Sequence, residues 1–211
     1  MKRVFFIDFD GTITKKDTCE AMVETFAAAG WEEINLQWER REISTEECAN
    51  RTFALFRANL EDLNELLDTI EIDAYFKEFI EYCLTRGYPH YILSDGYDYI
   101  IDYILKKYDL QLDYYANRLV YKDGFSIVCP HHNPACGTCG TCKTTLLAKL
   151  KPTDCRAVYI GDGTSDLCPA TMSDLVFAKG RLLEYCREKG IQAQPFTDFR
   201  DILIWLKQTE A

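Results

Sequence analysis

Two short stretches place carboxylates at spacings that chemistry can use. Residues 6–12 read FIDFDGT, with Asp8 and Asp10 separated by one residue directly after an apolar run. Residues 161–166 read GDGTSD, with Asp162 and Asp166 four apart among glycines and hydroxyls. Carboxylates gathered this way repel one another unless a proton or a cation offsets their charge. One use of such a pair is an attacking carboxylate beside a second that moves a proton. A hard divalent cation fits the same set, and Mg²⁺ is commonly held by one or two carboxylates with substrate phosphate and water.

These residues need elements that bring them to one edge. Residues 4–7, 90–93, 157–160 and 175–178 are continuous apolar runs, as expected of strands buried on both faces. Helical stripes alternate with them: Phe76, Phe79, Ile80, Cys83 and Leu84; Tyr97, Ile100, Ile101, Ile104 and Leu105; Leu182, Leu183 and Cys186; and Phe199, Ile202, Leu203 and Leu206 behind an Asp198 cap. The alternation predicts an α/β fold, a Rossmann-like parallel sheet, with ligands at the carboxyl ends of its strands. Asp8, Asp10, Ser94, Gly96, Asp162 and Asp166 all fall at such ends. From about Asp17 to Ile70 helical patterns stand alone, with capping-box signatures at Asp17–Glu20 and Ser44–Glu47. The division expected is a core over 1–14 and 74–211 with an inserted α-helical cap over 15–73. Residues 117–129 read as a hairpin turning at Lys122-Asp123-Gly124, and 130–142 as a loop.

Taken singly, each feature has an ordinary explanation. A DxD after a strand is often a solvated turn, Ser94 a helix cap, Lys143 a surface lysine, and GDGTSD a plain turn. Their joint arrival at strand ends is what points to a site.

The 211 residues suit one domain with an insertion, and 47% are apolar, enough for a sizeable core. A net charge of −10 argues against a nucleic-acid partner. No apolar run approaches the roughly 20 residues of a membrane helix, so no membrane partner is expected. Met1-Lys2-Arg3 leads straight into a strand-like run with no signal-peptide pattern, so the expected location is cytoplasmic.

Of ten cysteines, Cys129, Cys136, Cys139 and Cys142 cluster with His131 and His132 immediately before Lys143. The spacing offers ligands for a structural Zn²⁺, without fixing which four. Plain thiols or a redox-sensitive disulfide are the competing readings.

The motifs DFDGT, Ser94 in ILSDG, Lys143 and GDGTSD occur in the order found in the haloacid dehalogenase superfamily, which the chain resembles along essentially its whole length. The resemblance implies a Mg²⁺-dependent phosphatase with Asp8 as nucleophile, an aspartyl-phosphate intermediate and Asp10 as acid–base. It implies Mg²⁺ on the Asp8 carboxylate, the Asp10 carbonyl and Asp162, supported by Asp166. Ser94, Lys143, Gly11, Thr12 and Gly96 would hold phosphate or position the nucleophile. The helical insertion resembles the phosphoserine-phosphatase branch. The Cys-rich stretch is similar to that of the methionine-salvage hydroxy-keto-methylthiopentenyl-phosphate phosphatases, and also to that of phosphoethanolamine/phosphocholine phosphatases. Ser94-Asp95-Gly96 departs from the Ser-Gly-Gly expected there. Asp17 stands where phosphoserine phosphatases carry a Glu for the substrate ammonium; as a bare sequence feature it is equally a helix cap. Substrates implied are small phosphorylated metabolites, with a phosphomutase as the alternative chemistry and a monomer or homodimer as the assembly.

Overall fold

The computed structural model describes residues 2–209. In chain order it contains β1 (Lys2–Ile7), α1 (Thr18–Phe26), α2 (Trp31–Glu39), α3 (Thr45–Phe53), α4 (Leu60–Thr69), α5 (Phe76–Arg86), β2 (His90–Tyr97) and α6 (Asp98–Lys107). There follow β3 (Tyr114–Tyr121), β4 (Phe125–Val128), α7 (Lys143–Leu150), β5 (Cys155–Gly161), α8 (Leu167–Thr171), β6 (Leu175–Ala178), α9 (Gly180–Lys189), β7 (Ala193–Pro195) and α10 (Phe199–Thr209). A single 3₁₀ turn over Thr164–Asp166 leads into α8. The chain divides into two compact units. One holds residues up to Lys15, Glu71–Leu93 and everything from Lys143; the other holds Lys16–Ile70 and Ser94–Cys142.

The first unit is the parallel sheet the sequence predicts. β1 lies between β2 and β5, in register from Phe5↔His90 to Ile7↔Ile92 on one side and from Lys2↔Cys155 to Ile7↔Ile160 on the other. β6 and β7 extend it beyond β5, also in parallel. A strand flanked on both edges and covered on both faces has no use for polar side chains, and Val4, Phe5, Phe6 and Ile7 are all fully buried. Each such side chain contributes about 1.5–3 kcal/mol on burial. Phe76, Phe79 and Phe199 bring α5 and α10 together, with Phe76–Phe199 and Phe79–Phe199 centroids both 5.0 Å apart. Phe79 meets Phe5 edge-on at 5.2 Å, which fixes both helices to the sheet face.

In the second unit α1–α4 and α6 accompany the β3–β4 hairpin, whose register runs from Arg118↔Val128 to Tyr121↔Phe125. The hairpin turns where expected, with Asp123 and Gly124 both at positive φ (58° and 136°). Phe53 of α3 packs on Phe125 and Tyr97, with centroids at 5.8 and 5.5 Å. The caps at Asp17 and Ser44 form as signalled, each side chain accepting the N–H three residues on. The complete capping box, with bonds in both directions, belongs to Asn59 and Asp62 instead. At the other end of α4, the Lys107 ammonium donates to the carbonyls of Asp68 and Ile70 at 2.6 and 2.9 Å, offsetting that helix's negative terminus.

Candidate active site

The register of β1 against β5 builds the site. Ile7 pairs with Ile160, and the Asp8 N–H still donates to the Ile160 carbonyl at 2.9 Å, so Asp8 leaves the sheet beside Gly161 and Asp162. The chain then turns tightly: the Phe9 carbonyl accepts N–H groups from Thr12, Ile13 and Thr14. Gly11 sits in that turn at φ +73°, and a Cβ there would fall 2.6 Å from the Asp162 carboxylate. Only glycine meets both conditions.

Lys143, the first residue of α7, is 3% exposed. Its ammonium has three donors, and three acceptors receive them: Asp8 Oδ1 at 2.5 Å, Asp166 Oδ1 at 2.7 Å and Ser165 Oγ at 2.9 Å. Asp166 is completely buried and accepts four hydrogen bonds. Tyr159 Oη (2.6 Å) and Lys143 share Oδ1; the N–H groups of Asp162 and Gly163, both at 3.0 Å, share Oδ2. Asp162 receives the Thr12 hydroxyl on Oδ1 at 2.5 Å.

Ligand oxygens of Asp8, Asp162 and Asp166 lie within 4.8 Å of one another. Three carboxylates thus crowd round one buried ammonium. Burial pushes the Asp8 carboxyl well above the usual range, and the charges of Asp166 and Asp162 add to the effect against the pull of Lys143. Burial likewise pushes Asp162 up to about 6, although the Thr12 hydrogen bond and the charge of Lys179 work the other way. Burial opposes the charge on Lys143, but Asp166 and Asp8 outweigh it and raise its pKa. The site is short of positive charge, which is the condition a divalent cation relieves. The hydrogen bonds on Asp8 and Asp162 fall on their Oδ1 atoms, whereas Asp166 is engaged through both oxygens. The donor set fits Mg²⁺, with Asp8 and Asp162 as the carboxylates suited to it and Asp166 as the group that orders its surroundings.

Several expected residues do something more local than foreseen. Thr12 binds Asp162 and not the Asp8 carboxylate. The N–H of Gly11 donates to Thr14 Oγ1 at 3.1 Å, and that of Gly96 donates to Ser94 Oγ at 2.8 Å. Asp10 is half-buried in the turn after β1. Ser94, Gly96 and Asp17 belong to the second unit, where Ser94 is fully buried and Asp17 caps α1 through the Glu20 N–H. Tyr159 and Ser165 were not anticipated. The signal for Tyr159 was a phenol inside an otherwise aliphatic strand, since a buried Tyr hydroxyl needs a partner.

The Cys-rich loop does not gather a metal-sized ligand set. Among the described residues no three of its Cys or His ligand atoms lie within 4.8 Å of one another. His132 directs Nδ1 to the Cys139 carbonyl at 2.9 Å, and His131 packs edge-on against Tyr115 with centroids 5.3 Å apart. Structural zinc is unsupported, because the loop's thiols and imidazoles are not gathered around one point.

A profile described as Putative Phosphatase matches residues 3–210. The chain belongs to that family. This phosphatase is 34% identical over 207 residues to 2-hydroxy-3-keto-5-methylthiopentenyl-1-phosphate phosphatase of Bacillus cereus strain B4264, covering 96% of this chain and 94% of that one. It is 34% identical over 215 residues to the protein of the same name from Geobacillus kaustophilus, covering 98% and 96%. In fold it is similar to phosphoserine phosphatase in its apo form, with a TM-score of 0.70 at 23% identity over 97% of this chain and 99% of that one. A phosphoserine phosphatase captured as a phospho-aspartyl intermediate analogue gives 0.66 at 22%, covering 97% and 98%. Among the described residues no helix is long and apolar enough to cross a membrane.

Proposed function

We propose that this phosphatase hydrolyses a small phosphomonoester through a phosphorylated Asp8, and that its substrate is the methylthiopentenyl enol phosphate for which its Bacillus and Geobacillus relatives are named. The observation that carries the chemistry is the buried Asp8 carboxylate fixed by Lys143, which Asp166 and Tyr159 fix in turn. The substrate reading rests on 34% identity over nearly the full length of both chains.

Asp8 and Asp162, with the Asp10 carbonyl, would hold Mg²⁺; when bound, the cation supplies the positive charge the three carboxylates lack and draws electron density from the phosphoryl oxygens. Asp8 attacks phosphorus, and its new P–O bond replaces the bond to the leaving oxygen. Asp10, protonated at that moment, gives its proton to that oxygen. Water then attacks phosphorus, Asp10 takes the water's proton, the Asp8–phosphorus bond breaks, and inorganic phosphate leaves. Lys143 keeps Asp8 in one rotamer and offsets charge on the phosphoryl group. Thr12 holds Asp162 in place.

The test is Mg²⁺-dependent phosphate release from the enol phosphate beside phosphoserine, phosphoethanolamine, phosphocholine and sugar phosphates. The enol phosphate should give the highest kcat/KM, with turnover lost in Asp8→Asn and reduced at least about a hundredfold in Asp10→Asn. Preference for phosphoserine would move the substrate reading to that branch; full activity in Asp8→Asn would end the covalent mechanism.

A further inference from the structure

Asp95 lies in the second strand-end motif, and the second unit is organised around it. Its Oδ1 accepts the Thr141 N–H at 2.7 Å and the Asn117 amide at 3.2 Å; the same amide donates to the Asp95 carbonyl at 2.7 Å. Its Oδ2 accepts the Thr45 hydroxyl at 3.1 Å, and Thr45 Oγ1 in turn accepts Trp38 Nε1 at 3.0 Å. The Thr45 N–H donates to the Thr138 carbonyl at 2.9 Å, and Thr141 Oγ1 donates to Asn117 Oδ1 at 3.2 Å. Asn117 is fully buried, and at residue 140 the loop passes so close that a Cβ would lie 2.6 Å from its amide oxygen.

One carboxylate therefore joins the first turn of α3, strand β3 and the end of the Cys-rich loop. The loop has no helix or strand of its own between Val128 and Lys143. Thr141 lies two residues before Lys143, so fixing Thr141 fixes where α7 begins. We infer that Asp95 is a positioning residue for the hydrolysis, fastening the Cys-rich loop and helix α3 so that the chain enters Lys143 in one conformation. This inference uses the phosphatase reading for its kinetic consequence and stands apart from it for its structural one. It also gives the loop an ordering principle that needs no metal: hydrogen bonds gathered on a single carboxylate.

The experiment compares wild type, Asp95→Gly and Asp95→Asn by hydrogen exchange and steady-state kinetics. Asp95→Gly removes every carboxylate contact named above. Amides of residues 136–142 and 44–53 should then exchange about tenfold faster, while peptides from β1 and β5 keep their protection. Its kcat should fall about tenfold with KM changing less, since the group displaced holds the reacting carboxylate and offsets the charge of the phosphoryl group as it is transferred. Asp95→Asn keeps one carbonyl acceptor and should fall between the two in both measurements, which also serves if the glycine variant does not fold. Wild-type exchange and kcat in Asp95→Gly would overturn the inference, as would faster exchange with unchanged kcat, which would make Asp95 structural only. Inactivity of the wild-type protein on every phosphate ester would count against the phosphatase reading, while the exchange arm would still decide whether Asp95 holds the loop.

Discussion

Asp162→Asn should stabilise the protein at neutral pH when no divalent cation is present, although it removes a carboxylate from the site. Burial raises the Asp162 pKa from an ordinary 3.8 to about 6. Keeping it ionised at pH 7.5 therefore costs roughly two pKa units at about 1.4 kcal/mol each, close to 3 kcal/mol. Because the coupled cluster of Asp162, Asp8 and Asp166 can relieve part of this cost in the wild type by sharing a proton, about 2 kcal/mol is the working figure. Asparagine keeps the Oδ1 that accepts the Thr12 hydroxyl, so geometry changes little. The sign follows from linkage. Between about pH 4 and 6 the folded protein binds more protons at this position than the unfolded chain, so wild-type stability falls as pH rises through that window. The advantage of the variant should be near zero at about pH 4 and fully developed above about pH 7. For a chain of this length about 2 kcal/mol corresponds to roughly 4–8 °C in Tm. The assay is thermal unfolding of both proteins in EDTA from pH 4.5 to 8, repeated in excess Mg²⁺. In Mg²⁺ the difference should close or invert, because a ligand of the folded state stabilises the protein that binds it better. A variant no more stable than wild type at pH 7.5 in EDTA, or a gain that does not vary with pH, would refute this account of the site's electrostatics.

Tyr159→Phe removes one of the four donors on Asp166 from a fully buried position; it should lower stability by about 2 kcal/mol in urea titration, with kcat reduced and KM unchanged. Gly161→Ala would drive a methyl group into the Asp166 carboxylate; the displaced acid should release Lys143, reducing kcat by at least about tenfold and stability by about 1–3 kcal/mol. Gly140→Ala, whose Cβ would lie 2.6 Å from Asn117 Oδ1, should reproduce in hydrogen exchange the loosened loop of Asp95→Gly while leaving the first unit protected.

The parts of the site legible in the sequence were those where type and position coincide. Asp8 and Asp162 follow apolar runs because a strand buried on both faces can carry polar residues only where it ends. Helix α7 was not legible, and the reason is Lys143 itself. The buried positions of that helix are Lys143, Leu146 and Leu147, a regular i, i+3, i+4 stripe whose first member is a lysine. An apolar count misses a helix whose buried face is partly the active site. Strand β7 was missed because three residues ending in Pro195 show no periodicity; it is recognised only by its pairing with β6. The Asn59 cap was missed because Asn-x-x-Asp was not read as a box, though the short side chain of Asp62 reaches the Asn59 N–H at 2.7 Å. The Cys-rich loop is a place where spacing alone left several readings open. Its spacing suggested a ligand set, but the histidines serve the loop's own backbone and Tyr115.

The crowding of four donors on Asp166 has a consequence for how this enzyme can vary. Lys143, Tyr159, Gly161 and Asp166 come from one helix, one strand and a turn, yet they are fitted to one another: the lysine and the phenol share one oxygen, and the glycine leaves room for the carboxylate. Residues in one such network do not mutate with independent effects. A lineage that drifts at any of these four positions is therefore expected to move at the rest, so that they are inherited as a single character, while the surface around them diverges freely.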